Sequence, residues 1–468
     1  MGFIVFIIAI VGIVWGAILA LRGSLVMGCA VYLIIASCFS GYFWSIDAVG
    51  LTWSIDRFFM MFLLLAVVVQ WRLGESDIKP LSRADFVLFG FLGLLVLRTF
   101  TADWRASGAD DESIFMHLVN GYFIPLTILL IARHTRLDET KLRGAYIALA
   151  CFGVYLALTA VAEGAHAWGL VFPEFIADPE LGTHFGRARG PMLQSARLGM
   201  YLIVSAAVTV ALCAWSGKWS RQAVVMVAAL TPCYLVAAYF TYTRSIWLGA
   251  AFVLLITLVA TLHGKWRALV ILGSLGGAAF IVLAKGESLV SFKRDTTAAE
   301  TAESTYMRAS FAYVSWLMFQ DRPVMGVGFG QFPNESTYYL SDRSTSLRLE
   351  SIRGYIHHNT FLSVLVELGI FGLLLLLVFY FLWSRQAWQL WRDETLPFWV
   401  RAHGLMFLLV VAPFLLQMLF REVSYAPIEN GLVFFFAGTM GSLHASYAAA
   451  QPKSVNLNYP NMRFEGTT

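Results

Sequence analysis

The sequence predicts an all-α polytopic membrane protein of about 12–13 transmembrane helices, with a large extramembrane loop containing short amphipathic helices. Three observations predict it. Of 468 residues, 59% are hydrophobic and only 13% charged, with a mean hydropathy of +0.70; a water-soluble chain of this length needs far more charged surface. The apolar residues gather in runs of about 17–24, the length a helix needs to cross about 30 Å of hydrocarbon. Finally, the basic residues segregate to alternate connections, as the positive-inside rule requires.

In chain order, the expected helices run from Gly2 to Leu21, Ser24 to Trp44, Thr52 to Trp71, Ala84 to Arg98, Ile114 to Ile131, Ala145 to Val161 and Ala196 to Trp215. They continue from Gln222 to Phe240, Ser245 to Leu262, Ala268 to Ala284, Thr360 to Trp383, Val400 to Leu419 and Gly431 to Leu443, the last being short and interrupted by glycines. The N-terminus lacks the positive region and small-residue cleavage site of a signal peptide, so it reads as a retained span. Cys29, Cys38, Cys151, Cys213 and Cys233 all fall inside apolar runs, where cysteine acts as a small hydrophobe.

One set of connections holds Arg22, Arg72, Lys79, Arg83, Arg133, Arg136, Lys141, Arg143, Lys218, Arg221, Lys265, Arg267, Arg385, Arg392 and Arg401, followed by Lys453 and Arg463 in the tail. The opposite short loops hold only Arg105, Arg244 and Arg421. The first set is therefore expected in the cytoplasm, with the N-terminus outside and the C-terminus inside. The chain divides into N-terminal spans (1–162), an outer loop (163–195), central spans (196–284), a large outer loop (285–359), C-terminal spans (360–443) and a cytoplasmic tail (444–468). Loops this long in a compact bundle are usually functional.

The large loop has internal structure. Ser304 or Thr305 is placed to cap a helix to about Gln320, with Met307, Phe311, Val314 and Met318 on one stripe and Arg308, Ser315 and Phe319 beside it. Such a helix is expected to lie on the outer bilayer surface. Gly326, Gly328 and Gly330 alternate through a tight turn where backbone comes close to something. No Gly-Lys-Ser/Thr follows, so this is not a phosphate loop. The loop ends at His357-His358-Asn359-Thr360, directly before a long apolar helix.

Several of these features, taken in order, are similar to a known family. Tyr242-Thr243-Arg244-Ser245 ends a helix, Arg308 lies in the loop helix, and Pro323 to Gly330 form the glycine turn. His358-Asn359-Thr360-Phe361-Leu362 and Glu367-Leu368-Gly369-Ile370-Phe371-Gly372 follow. The pattern, close over about 190–370, resembles the O-antigen ligase and O-antigen polymerase superfamily of bacterial membrane glycosyltransferases. The resemblance implies transfer of a glycan from undecaprenyl diphosphate to an acceptor hydroxyl at the periplasmic face of the inner membrane, without an essential metal and without a cofactor. It implies His358 as the catalytic histidine and Arg244 and Arg308 as diphosphate-binding arginines. The same donor chemistry would serve ligation to lipid A–core, polymerisation of a growing glycan or transfer to a protein hydroxyl, with the first two favoured; membrane lipid is the expected surrounding partner, and no nucleic acid is expected.

Elementary chemistry agrees with that assignment. A sugar hydroxyl needs a base that is partly neutral near pH 7, which suits histidine. A diphosphate leaving group suits two arginine forks. Blander readings stand beside these: Arg244 as a helix-end arginine reaching the interface, Arg308 as a headgroup contact, Asn359 as a helix cap. Arg187, Arg189 and Arg197 surround Gly190-Pro191, and Arg187 and Arg189 are candidate substrate contacts, as are Gly328, Gly330 and Asn359. Asp56 is expected to pair with Arg57 or an arginine of another span, and Glu367 to orient a site residue from about two and a half turns below His358. Trp168, Phe172, Phe175, Phe329, Phe332, Tyr338 and Tyr339 are candidates for stacking on sugars.

Two other classes compete. A metal-dependent lipid-linked glycosyltransferase or oligosaccharyltransferase typically carries an outer Asp-x-Asp; the chain has none, and Asp178-Pro179-Glu180 and Asp110-Asp111-Glu112 read as solvated loop charge. A transporter would show paired broken helices in two halves, and no internal repeat is present.

Overall fold

The computed structural model describes residues 16–48, 51–105, 113–215, 217, 220–276 and 298–450. Most of the expected first span, the second half of the span expected at 268–284, residues 285–297 and the tail from 451 lie outside them. The described chain is a helical bundle, as expected. Its helices are α1 (Leu25–Cys38), α2 (Ile55–Arg72), α3 (Arg83–Phe100), α4 (Ile114–Arg133), α5 (Glu139–Gly164) and α6 (Ser195–Cys213). They continue with α7 (Arg221–Phe240), α8 (Arg244–Thr261), α9 (Ala298–Asp321), α10 (Thr360–Arg392), α11 (Phe398–Phe420) and α12 (Pro427–Ala450). Among the described residues seven helices, α4 to α8, α10 and α11, are long and apolar enough to cross a membrane. α2 and α3 reach 18 residues but carry three charged residues each.

Local chemistry explains where these helices begin. Ser82 accepts from the Asp85 N–H while Asp85 accepts from the Ser82 N–H, a capping box that opens α3. Asp138 caps α5, Ser220 caps α7 and Asn359 caps α10 by the same side-chain logic. One departure from the helical expectation lies between α1 and α2. Residues 39–44 leave the helix, and Ser45–Ala48 pairs antiparallel with Leu51–Ser54. In this hairpin region Asp56 accepts from Ser54 Oγ (2.6 Å) and Arg57 donates to the Thr52 carbonyl, so neither spends itself on the other as expected.

The helix that looked weakest in sequence is the most enclosed. α12 has 24 residues, about 36 Å of helix, and residues 429–443 are buried throughout. Its glycines are packing devices: a Cβ on Gly438 would stand 2.5 Å from the Leu129 carbonyl oxygen of α4. Away from the long connections, Arg133 and Asp85, each 2% exposed, pair at 2.8 Å and brace α4 against α3. All five cysteines are free.

Candidate active site

α9 starts at Ala298, six residues before the expected caps, and runs to Asp321. Its expected apolar stripe is real but does not face lipid. Phe311, Val314 and Met318 are at most 1% exposed and bury against Phe332, Leu340, Leu349, Ile352 and Val366, with Met307 packed at the edge. The loop therefore has its own small core, which docks on α10; only the other face of α9, with Tyr306 and Trp316, is open.

The glycine turn is what docks it. α10 breaks at Gly369, whose φ of 70° and ψ of −169° are not helical. A continuous helix would pair the Ile370 N–H with the Val366 carbonyl. Here Ile370 donates to the Pro323 carbonyl (2.9 Å), and Val366 and Glu367 carbonyls accept from Val327 and Gly328 (2.9 Å each). Both orphaned halves of the break are satisfied by the turn. Glu367, 2% exposed, then takes the Gly330 N–H (2.8 Å) and the Phe332 N–H (3.3 Å) on its two oxygens, with the Tyr425 hydroxyl also on it (3.4 Å). What the alternating glycines approach closely is thus the broken helix: a Cβ on Gly326 would lie 2.4 Å from the Val366 carbonyl oxygen. The Gly328 and Gly330 N–H groups, candidates for substrate, are both committed to Glu367.

The corner before α10 holds the two histidines. His357 is 2% exposed, accepts the Asn359 N–H at Nδ1 (2.9 Å) and therefore donates from Nε2 to Ser315 Oγ of α9 (2.7 Å). Burial, with His358 alongside, pushes its pKa down to about 3. His358 is half-buried, its ring 5.0 Å from that of Phe311. Burial and the Arg308 charge hold its pKa below the ordinary histidine value, against a hydrogen bond with the His357 backbone. Asn359 accepts the Leu362 N–H (3.0 Å) and donates to the Leu419 carbonyl (3.1 Å), so its side chain both caps α10 and ties it to α11.

The C-terminal end of α11 joins the three residues singled out in sequence. Beside Arg244, Ser245 donates to Gln417 (3.1 Å). Arg308 lies over the Phe420 ring, 6.0 Å from its centre. After His358, Asn359 reaches Leu419 and Thr360 donates to the Arg421 carbonyl (2.9 Å). Arg308 remains exposed, although surrounding protein and the nearby Arg244 charge both lower its pKa. Arg244, Arg308 and His358 thus border one polar patch. The chain approaches closely there because α4 carries a π turn, Val119–Phe123, in which Gly121 meets the Ser424 carbonyl.

The shorter loop is built differently. Arg189 is 1% exposed and donates to the carbonyls of Leu181 (2.5 Å), Ile176 (2.9 Å) and Asp178 (3.0 Å), under the Phe185 ring. Glu163 takes the N–H groups of Arg189 (2.9 Å) and Gly190 (2.7 Å). Arg187 is half-buried nearby. Arg197 pairs with Glu429 (3.2 Å), which also pairs with Arg421. The sequence offered one signal for Arg421, its position as a basic residue on the sparsely charged side; Gln417 and Glu429 gave none. Of the candidate sugar-stacking rings, Phe329 and Phe332 are core, whereas Tyr338 (88%) and Phe172 (56%) are exposed. Among the described residues, no three His, Cys, Asp or Glu side chains gather as a metal site needs.

Fold and patch together define a multi-pass membrane protein with a cationic, histidine-bearing site where its long connections meet. The family model described as O-antigen ligase matches residues 229–377, about a third of the chain, from within α7 to the middle of α10. Over that stretch the chain is similar to the O-antigen ligase family. No curated protein matches the sequence.

Proposed function

We propose that the protein is an inner-membrane glycosyltransferase that moves a glycan from undecaprenyl diphosphate to an acceptor hydroxyl at the periplasmic face. The acceptor oxygen attacks the anomeric carbon, the bond from that carbon to the diphosphate oxygen breaks, and the hydroxyl proton passes to His358. The departing diphosphate gains negative charge, which Arg244 and Arg308 stabilise. The observation that carries this reading is the convergence of Arg244, Arg308 and His358, far apart in sequence, on the end of α11. A prenyl tail that stays in lipid accounts for a site at the edge of a helical bundle. The acceptor best supported is lipid A–core or a growing polysaccharide, in keeping with the similarity to the O-antigen ligase family.

The test uses purified protein, a lipid-linked glycan and acceptor. Covalent transfer is expected, insensitive to chelator; movement of the lipid without transfer supports a carrier instead. His358→Ala should insert and fold yet transfer nothing, and full activity of that variant sinks the assignment. A deletion strain separates the products: lipid A–core lacking long chains marks a ligase, and lipid A–core with one repeat unit a polymerase.

A further inference from the structure

A second pair of arginines reaches the same patch from outside the matched stretch. Gln417 lies in the last turn of α11, and Arg421, in extended backbone, ends that helix and donates its N–H to the Gln417 carbonyl (3.0 Å). Gln417 is 1% exposed; its Oε1 accepts from Ser245, and its buried Nε2 has no hydrogen-bond partner among the described residues. Arg421 donates through Nη1 to Gln194 (2.9 Å) and through Nη2 to Glu429, leaving a buried Nε without a partner. Arg197 meets the other oxygen of Glu429, which is fully buried. Ser195, 2% exposed, opens the same helix as Arg197, and its hydroxyl likewise lacks a partner.

Buried polar groups are nearly always hydrogen-bonded, so the unpartnered donors Ser195 Oγ, Gln417 Nε2 and Arg421 Nε call for an explanation. The acceptors left over beside them are Glu429 Oε2, which faces Arg197 Nε at 3.2 Å, and Glu422 Oε2, so donors outnumber acceptors. Charge is unbalanced in the same sense. Arg197 and Arg421 both pair with Glu429, Arg244 and Arg308 lie near each other beside the same helix end, and burial pushes the neighbouring Glu422 carboxyl toward its neutral form. An excess of cations in a partly desolvated site favours an anionic ligand rich in acceptor oxygens.

We infer that Arg421, with Gln417 and Arg197, forms an oxyanion subsite for a phosphate group of a substrate, contiguous with Arg244, and that Glu429 holds the two arginine forks in place. The inference rests on the proposed function for the carrier of that phosphate, which is either the prenyl donor or a phosphorylated glycolipid acceptor. It adds binding residues some forty positions beyond the matched stretch. Arginine's rigid fork fits phosphate oxygens in a way lysine cannot reproduce.

The experiment is titration of the full-length protein in nanodiscs, read by native mass spectrometry, with undecaprenyl diphosphate and separately with bisphosphorylated lipid A. Arg421→Gln alone would strand Glu429 on one partner, so the decisive variant is Arg421→Gln/Glu429→Gln, which removes both charges together. It should keep its melting temperature and bind at least one probe tenfold or more weaker. Loss for undecaprenyl diphosphate alone assigns the subsite to the donor, loss for lipid A alone assigns it to the acceptor, and loss for both marks a shared subsite. Unchanged affinity for both, or no binding of either by the wild type, overturns the inference and leaves Arg421 a brace. If the double variant does not fold, Gln417→Leu, which touches no charge, decides the matter: a severalfold loss supports the subsite and none overturns it. His358→Ala in the same titration should bind like wild type without transferring. Transfer by that variant while the double variant loses binding would sink the proposed mechanism and leave the subsite standing.

Discussion

The two long connections each bring an arginine and a glycine turn to the same end of the bundle, and they use them in opposite ways. In the shorter, Arg189 is folded inward and its two terminal nitrogens donate to three carbonyls of its own loop, its buried Nε having no partner among the described residues. In the longer, Arg308 stays exposed while its helix neighbours Phe311, Val314 and Met318 form the core beneath it. A buried guanidinium satisfied by backbone oxygens shapes a loop. An exposed one beside a second arginine and a half-buried histidine offers its fork to a ligand. The same residue type is therefore placed in two different ways, separated by what its donors meet.

That contrast is broken most severely at the histidine. His358→Ala should reduce transfer by about 10²–10⁴-fold, the usual worth of a general base, while His357→Gln should act through the loop's packing against Ser315. Arg308→Ala and Arg244→Ala come next, each expected to lower the rate by about 10²–10³-fold, as for loss of one group stabilising a transition-state charge. Lysine at either position should rescue poorly. Steady-state transfer assays on variants matched for folded protein measure all of these, and wild-type rates for Arg308→Ala would erase the distinction from Arg189.

How far this was legible in sequence differs between fold and site. The helical, multi-pass character followed from run length, which needs only local information. α12 was undervalued because its glycines look like interruptions until the Leu129 backbone is seen against Gly438. The stripe on α9 was legible; its partner was not, because nothing local says whether an apolar face meets lipid or a loop's own core. The glycine turn was correctly read as a close approach, but its target, the break at Gly369, lies some forty residues on. Gln417, Arg421 and Glu429 were invisible as a group, since only the packing of α6, α8, α11 and α12 brings them together.

A smaller effect is expected at Arg189. Arg189→Ala would strand the carbonyls of Leu181, Ile176 and Asp178, and lost hydrogen bonds to a charged group cost about 1.5–3 kcal/mol each before relaxation. The melting temperature should fall by several degrees, while turnover per folded molecule stays within severalfold of wild type. A normal melting curve with lost turnover would move Arg189 from the loop's framework into the site.

The smallest effect separates the two arginines most cleanly, because it needs no turnover at all. Burial and the Arg308 charge both favour neutral His358, so its pKa lies below the ordinary histidine value. The base is the neutral form; activity should therefore rise with pH through a midpoint below the ordinary histidine value. Diethyl pyrocarbonate acylates only neutral imidazole, so the pH dependence of His358 modification, followed by peptide mass spectrometry, reports that midpoint even in inactive variants. Arg308→Gln removes one of the two depressing causes and should move the midpoint upward, whereas Arg189→Gln should leave it in place. A midpoint that ignores Arg308 would mean that the guanidinium does not face the imidazole, and the case for their acting on one substrate would lose its electrostatic support.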